Sequence, residues 1–362
     1  MRYGFKAAIS DDIQAVVRMA TGNLDNPISN NQTAGNNFNR YTIGVDRAYI
    51  RWRNMTASNY EWLSAQAGRF GNPFYTPTEL VWDGDLQLEG LAATGSYRFN
   101  LDGHDSGGLT RDTRVFLTLG GFPMVESELA FDDDSSDDKW LLGGQIGLEH
   151  RFSRPWEAKL GLALYDYVNV VGKFNPNGPI GSTLYDWTAP GQIVKGNTMY
   201  PIKFNADGDP TLFGLAADYT IVNLSGEVRY THFAPVEVWL TADIAKNIGY
   251  DEDDVLDRTG VHVGDRSNAF TLQLDVGHPE IKRLGDWHFS AFYRYLQRDA
   301  VLDGFTDSDF HLGGTDAKGY MVSGEFGVAD MTSMRLRYYS ADQIDLAPLG
   351  IDILMLDLST RF

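Results

Sequence analysis

The chain has 362 residues, no cysteine, and a formal net charge of −19 from 49 acidic against 30 basic residues. Without cysteine, thiolate metal sites, thiol catalysis and disulfide staples are excluded. The acidic excess excludes a nucleic-acid partner, because a phosphate backbone needs a basic face.

No continuous apolar run approaches the roughly 20 residues of a spanning helix, and no linker divides the sequence, so one domain over residues 1–362 is expected. The pattern that recurs is period-two alternation in segments of about nine to twelve residues, the length a tilted strand needs to cross a bilayer. From Arg2 to Ser10, Tyr3, Phe5, Ala7 and Ile9 share one face, with Arg2 and Lys6 opposite. Past Asp11 and Asp12, Ile13, Ala15, Val17 and Met19 repeat the pattern against Gln14 and Arg18. Ala48, Ile50 and Trp52 then alternate with Arg47, Tyr49, Arg51 and Arg53, and Trp140, Leu142, Ile146 and Leu148 with Lys139, Gln145 and Glu149. Further strands are expected at 156–168, 219–231, 236–247, 269–277, 287–297, 319–328, 334–341 and 351–362.

Short connections at 11–12, 153–155, 232–235 and 329–332 take turns with long polar ones at 22–39, 123–138, 169–217, 248–267 and 299–317, and 71–85 belongs to the long-loop side. One greasy face and two unlike ends describe an all-β, antiparallel up-and-down transmembrane β-barrel of the outer membrane, with its long loops extracellular. Fifteen strands can be counted, the first and last running the same way. Barrels of this type have an even number, so about 16 strands are expected, one of them preceding Met1. Residues 1–6 contain no signal-peptide apolar region, and the chain reads as a mature or trimmed form. In a soluble sandwich the long loops at one end only would go unexplained.

Arg18, Arg47, Arg51, Arg53, Arg69, Arg98 and Arg114 occupy polar positions of consecutive strands and form a cationic strip on the expected lumen wall. Gly71, Pro73 and Pro77 break strand pairing, while Phe74, Leu80, Val81 and Trp82 are too apolar for a free external loop. Residues 71–85 are therefore expected to fold into the lumen as a constriction, with Glu79, Asp83 and Asp85 facing the arginines across a transverse field. The arginines could equally pin this loop to the wall, and one side chain can do both. The acidic surplus predicts a weak cation preference. Asp132, Asp133, Asp134, Asp207 and Asp209 are weak Ca²⁺ candidates; neither the run 132–138 nor 251–254 has EF-hand spacing, and a solvated, cation-attracting surface is the alternative. No other cofactor is expected. No second histidine stands at metal-site spacing from His262 and no Gly-x-Ser-x-Gly elbow occurs, so no enzyme is expected.

The run Ile43-Gly-Val-Asp-Arg-Ala-Tyr-Ile-Arg-Trp52, with Ala67 to Phe74, Leu80 to Gly90 and Trp140 to His150, resembles the "putative porin" family of Gram-negative bacteria. The alternation of Leu354, Leu356, Leu358, Thr360 and Phe362 is similar to the terminal assembly signature of outer-membrane barrels. The resemblance implies an outer-membrane pore and a homotrimer, and supplies no substrate; family members carry further sequence at the amino end. An outer-membrane barrel would meet lipid and lipopolysaccharide outside and small hydrophilic solutes and ions inside. Because inward positions are often Gly, Ala, Ser, Thr and Arg, a water-filled diffusion channel is expected. The alternatives are a substrate-specific channel and a structural or adhesive barrel with a plugged lumen.

Overall fold

The computed structural model describes residues 1–31, 40–100, 112–125, 138–153, 155–176 and 183–361. The first eight strands are β1 (Arg2–Ala8), β2 (Ile13–Thr21), β3 (Ile43–Met55), β4 (Glu61–Gly71), β5 (Gln87–Asn100), β6 (Asp112–Val125), β7 (Lys139–Ser153) and β8 (Trp156–Val168). After the hairpin β9 (Met199–Phe204) and β10 (Pro210–Leu215) come β11 (Tyr219–Tyr230), β12 (Glu237–Asn247), β13 (Asn268–Gly277), β14 (Trp287–Leu296), β15 (Ala317–Ala329), β16 (Thr332–Gln343) and β17 (Gly350–Thr360). All except β9 and β10 form one 15-stranded sheet in which neighbours in the chain are neighbours in space, apart from β8 pairing with β11 across the hairpin. Every ladder is antiparallel. Edge strands β1 and β17 run in the same direction, and among the described residues no ladder joins them. No described helix is long and apolar enough to cross a membrane.

Register turns the period-two sequence into two unlike surfaces. Ile146, Leu162, Leu224, Ile244 and Phe270 stand side by side across five strands, and all are exposed. One residue along, Gln145, Ala163, Asn223, Ala245 and Ala269 form the opposite row, and all are buried. The contrast between Leu162, 49% exposed, and Ala163, 1% exposed, is that of a lipid face and a packed interior. Tyr3, Phe5, Ile50, Trp52, Leu160, Leu354, Leu356 and Leu358 belong to the exposed face. Phe270, Tyr293 and Tyr295 cluster toward the long-loop end, as do Tyr320 and Tyr338, in the manner of an interfacial aromatic belt.

The sheet curls around its own loops. Residues between 75 and 85 reach Arg2 on β1, Gln145 on β7 and Asp243 on β12, while Asp307 and Asp309 reach Arg294 on β14 and Arg337 on β16. One interior therefore faces strands from β1 to β16. Three connections enter it, 72–86, 169–218 and 297–316, where the sequence pattern predicts only the first. The other two are drawn in by short apolar runs inside long polar stretches: Tyr200, Ile202, Leu215, Val301 and Leu302 join one buried core with Leu80, Val81 and Trp82. The acidic run 251–254 begins α1 (Glu252–Thr259), where Asp251 accepts from the amides of Asp253 and Asp254 at 2.9 and 3.1 Å and caps the helix, with Gly260 closing it at φ 70°. That run has a local structural task at a helix N-terminus.

Replacing Leu162 with arginine should lower stability in lipid vesicles by about 2–4 kcal/mol, the cost of a cation near mid-bilayer depth. Denaturant titration checks this, and an unchanged midpoint would mean that the exposed face is not the lipid face.

Candidate pore and its interior loops

β4 stops at Gly71 because the next residues cannot continue a ladder: Asn72 Oδ1 accepts from the amide of Phe74 at 3.0 Å, and Pro73 has no donor. Segment 72–86 then crosses the inner face on side chains that replace the lost ladder. Gln145 on β7 accepts from the Tyr75 amide at 2.6 Å and donates to the Tyr75 carbonyl at 2.9 Å, serving as a substitute strand. Thr78 Oγ1 donates to Asp243 at 2.5 Å. Phe74 lies over Gly143, where any Cβ would collide with its ring, and meets Phe122 and Tyr165 edge to face at 6.2 and 5.1 Å. Trp82, 2% exposed, packs edge to face on Tyr165 at 5.1 Å and stacks near Tyr167 and Phe305.

The loop is locked from above by 297–316. The Asp83 amide donates to the Phe305 carbonyl at 2.7 Å, Thr306 Oγ1 donates to the Leu80 carbonyl at 2.9 Å, and the Ser308 amide donates to Asp83 Oδ2 at 2.9 Å. Arg294, 1% exposed, holds Asp307 at 2.7 Å and Thr271 at 3.0 Å between the rings of Phe292 and Phe310. Connection 169–218 joins through Thr198, whose amide and hydroxyl donate to Asp299 at 2.8 and 2.5 Å, and Tyr219 donates to the same carboxylate at 2.9 Å.

The sequence-derived arginines divide by partner. Arg18 pairs with Asp46 and Arg51 with Glu61; Arg98 pairs with Asp112 at 2.9 Å and Arg114 with Glu149 at 3.2 Å. Arg53 donates to the Asp11 carbonyl at 3.4 Å, and Arg47 donates through Nε to Gln87 Oε1 at 2.6 Å. Arg69 departs from the expected strip: it stands in register with Ala48 and Glu89 on the face shared by exposed Ala67 and Leu91, and binds Glu89 at 2.8 Å. The reason lies next door, where Phe70 turns inward onto Tyr49 and Phe122, so that polar-in and apolar-out are exchanged at this height.

Of the loop carboxylates, Asp85 reaches Arg2 and accepts from the Asn30 amide at 3.3 Å. Among the described residues Asp83 meets no arginine; besides Ser308 it accepts from the Asp85 amide at 2.7 Å, and Glu79 accepts from the Gly84 amide at 2.7 Å. The charges still share a space: a cavity of about 510 Å³ has Arg47, Arg51, Ser64 and Gln66 on its wall side and Glu79 and Asp83 on its loop side. A second, of about 500 Å³, lies against Leu24, Asp25, Asp85, Leu88, Phe122 and Asp303. Trp82 touches both.

Asp207 and Asp209 sit at the tip of the β9–β10 hairpin, their amides held by Asn205 Oδ1 at 3.0 and 2.8 Å. Among the described residues no group of three acidic or histidine side chains is arranged for a cation, and Asp132, Asp133 and Asp134 lie outside the described residues. Sequence reasoning passed over Arg294, Asp299 and Asp307, whose only signal is a charge beside an apolar strand end.

Burial raises Glu79 to about 8, with Asp307 and Asp83 adding repulsion and the Gly84 amide opposing it. Burial likewise raises Asp83 to about 6 against the amides of Asp85 and Ser308. Values above the ordinary 4.5 and 3.8 mean that the folded loops hold protons the unfolded chain releases. This contribution to stability is complete below the ordinary values and is lost as pH rises through about 6 and then about 8. Amides of 72–86, corrected for intrinsic exchange, should be better protected at pH 5 than at pH 9, and Glu79→Gln should flatten the difference. Protection that grows with pH would contradict the assignment.

The chain has no match among curated proteins. Among solved structures it is similar to the outer-membrane channel DcaP of Acinetobacter baumannii, at 8% identity and a TM-score of 0.45 over 99% of this chain and 82% of that one. OccD3 of Pseudomonas aeruginosa aligns at 10% identity and 0.34 over 99% and 84%, and OccAB1 of A. baumannii at 11% and 0.36 over 95% and 85%. The sequence profile described as "Putative porin" matches residues 1–362. The chain belongs to the "putative porin" family, and is a porin-type channel of the bacterial outer membrane.

Proposed function

We propose that ions and small hydrophilic solutes diffuse passively along one side of the barrel, against the wall formed by β2 to β5. The observation that carries this reading is the asymmetry of the interior. Opposite that wall, inward Tyr165, Tyr167, Tyr219, Ile221 and Leu296 are buried under the loops. The cavity floor at β3 and β4 instead presents Arg51, Ser64 and Gln66, all partly exposed. The two cavities follow one another with Trp82 between them, and Arg47, Arg51, Glu79, Asp83 and Asp85 line this route. Arg18, Arg53, Arg98 and Arg114 shape its field as members of neutralised or carbonyl-bound sets. Arg69, in the outward register, borders the second cavity beside Glu89 and donates to the Asp46 carbonyl at 3.2 Å. On this reading the protein is a homotrimer in lipid and lipopolysaccharide, with the aromatic belt and outward Lys318 at headgroup level.

The packed half of the interior favours a second reading, a plugged structural barrel, and one experiment separates the two. Reconstituted in a planar bilayer, the protein should conduct, and a variant lacking 72–85 that still assembles should conduct more. No current from either would leave the plugged barrel. The acidic surplus should make the reversal potential weakly cation-selective at low salt, fading as the screening length shortens to about 10 Å at 0.1 M. Anion selectivity at all salt concentrations would show that the wall arginines dominate.

A further inference from the structure

We infer that Arg47 is an oxyanion anchor in the channel, binding the carboxylate or phosphate group of a passing solute; this rests on the diffusion route proposed above. Arg18, Arg51, Arg98 and Arg114 each spend their charge on a carboxylate. Arg47 forms no ion pair among the described residues; its hydrogen bond goes to a neutral amide, Gln87 Oε1, through Nε alone. Both Nη groups, the pair that makes a bidentate fork on an oxyanion, are left for another acceptor.

The surroundings keep that fork open. The guanidinium lies over Gly71, where a Cβ would come within 2.7 Å of Nη2 and 3.0 Å of Cζ, so that only glycine leaves it this position. The cavity it lines, about 510 Å³, also receives Ser64 and Gln66, whose side chains have no hydrogen bond within the protein among the described residues. In the β3–β4 register they stand opposite Arg53 and Arg51, further along the cavity, and leave the space beside the Arg47 fork to water or solute. Across the cavity, Glu79 and Asp83 do not compete for the arginine, because each carboxylate is held by amides, of Gly84 in one case and of Asp85 and Ser308 in the other. A weak overall cation preference and an anion anchor coexist, since the first is set by net charge at long range and the second by two donors at contact.

The test uses the whole protein in planar bilayers in potassium chloride, with inorganic phosphate and benzoate added separately. Each should reduce chloride current in a saturable way, and Arg47→Gln should weaken this block about tenfold, the loss expected of a charge-assisted hydrogen bond. Arg47→Lys should recover part of it, and the neutral pair exchange K282Q/E280Q, at an exposed ion pair in the β13–β14 turn, should leave it unchanged. Block by both probes identifies a general oxyanion site, and block by one alone assigns the site to that chemistry. Channels that conduct but are blocked equally in wild type and Arg47→Gln would overturn the anchor while leaving the porin reading intact; a wild type that does not conduct would overturn the route itself. Should Arg47→Gln fail to assemble, wild-type current indifferent to both anions would overturn the anchor on its own.

Discussion

The interior of this barrel depends on the burial of Trp82. A loop that leaves a strand at Gly71 and rejoins one at Gln87 loses its ladder hydrogen bonds over fifteen residues, and it can stay inside only if packing and substitute bonds replace them. Trp82 supplies the packing, held by Tyr165, Tyr167 and Phe305. Gln145, Thr78 and Ser308 supply the bonds. Because Phe305 comes from a second loop, and Thr198 of a third donates to Asp299 of that second loop, the three connections form one mutually supported body. Removing Trp82 would cost more than its own contacts, since a cavity of that size deletes the surface on which the other loops rest.

That body decides where water can go. Small inward residues, Ala163, Ala245 and Ala269, make room for loops and not for a wide pore. Small inward residues are not all empty lumen: on β7, Gly143 and Gly147 seat the rings of Phe74 and Phe116. Gly143 shows the difference at a single position: its missing Cβ is filled by the Phe74 ring.

The lipid face was legible because a bilayer imposes one chemistry on every second residue, and Leu160, Leu162 and Leu164 can satisfy it in only one register. The interior was less legible because its environment changes along a single strand. On β4, Glu61 pairs with Arg51 of β3, whereas Phe70, further along the same strand, faces a packed core, and Arg69 is thereby turned outward. Segment 72–86 announced itself through Pro, Gly and clustered apolar residues. Connections 169–218 and 297–316 did not, because runs as short as Ala300 to Leu302 and single residues such as Ile202 and Phe310 stand far apart in long polar stretches and act only when brought together.

A water route along the β2–β5 wall is the claim on which constriction and anchor rest. The chain has no cysteine, so single introduced cysteines report position without background. Reaction with a small water-soluble thiol reagent, followed as loss of channel current, tests it directly. Cysteines at Ser64 and Thr94 should react quickly and reduce current, while cysteines at Ala163 and Ile221, inward on the packed wall, should stay inert. Equal reaction on both walls would contradict the account.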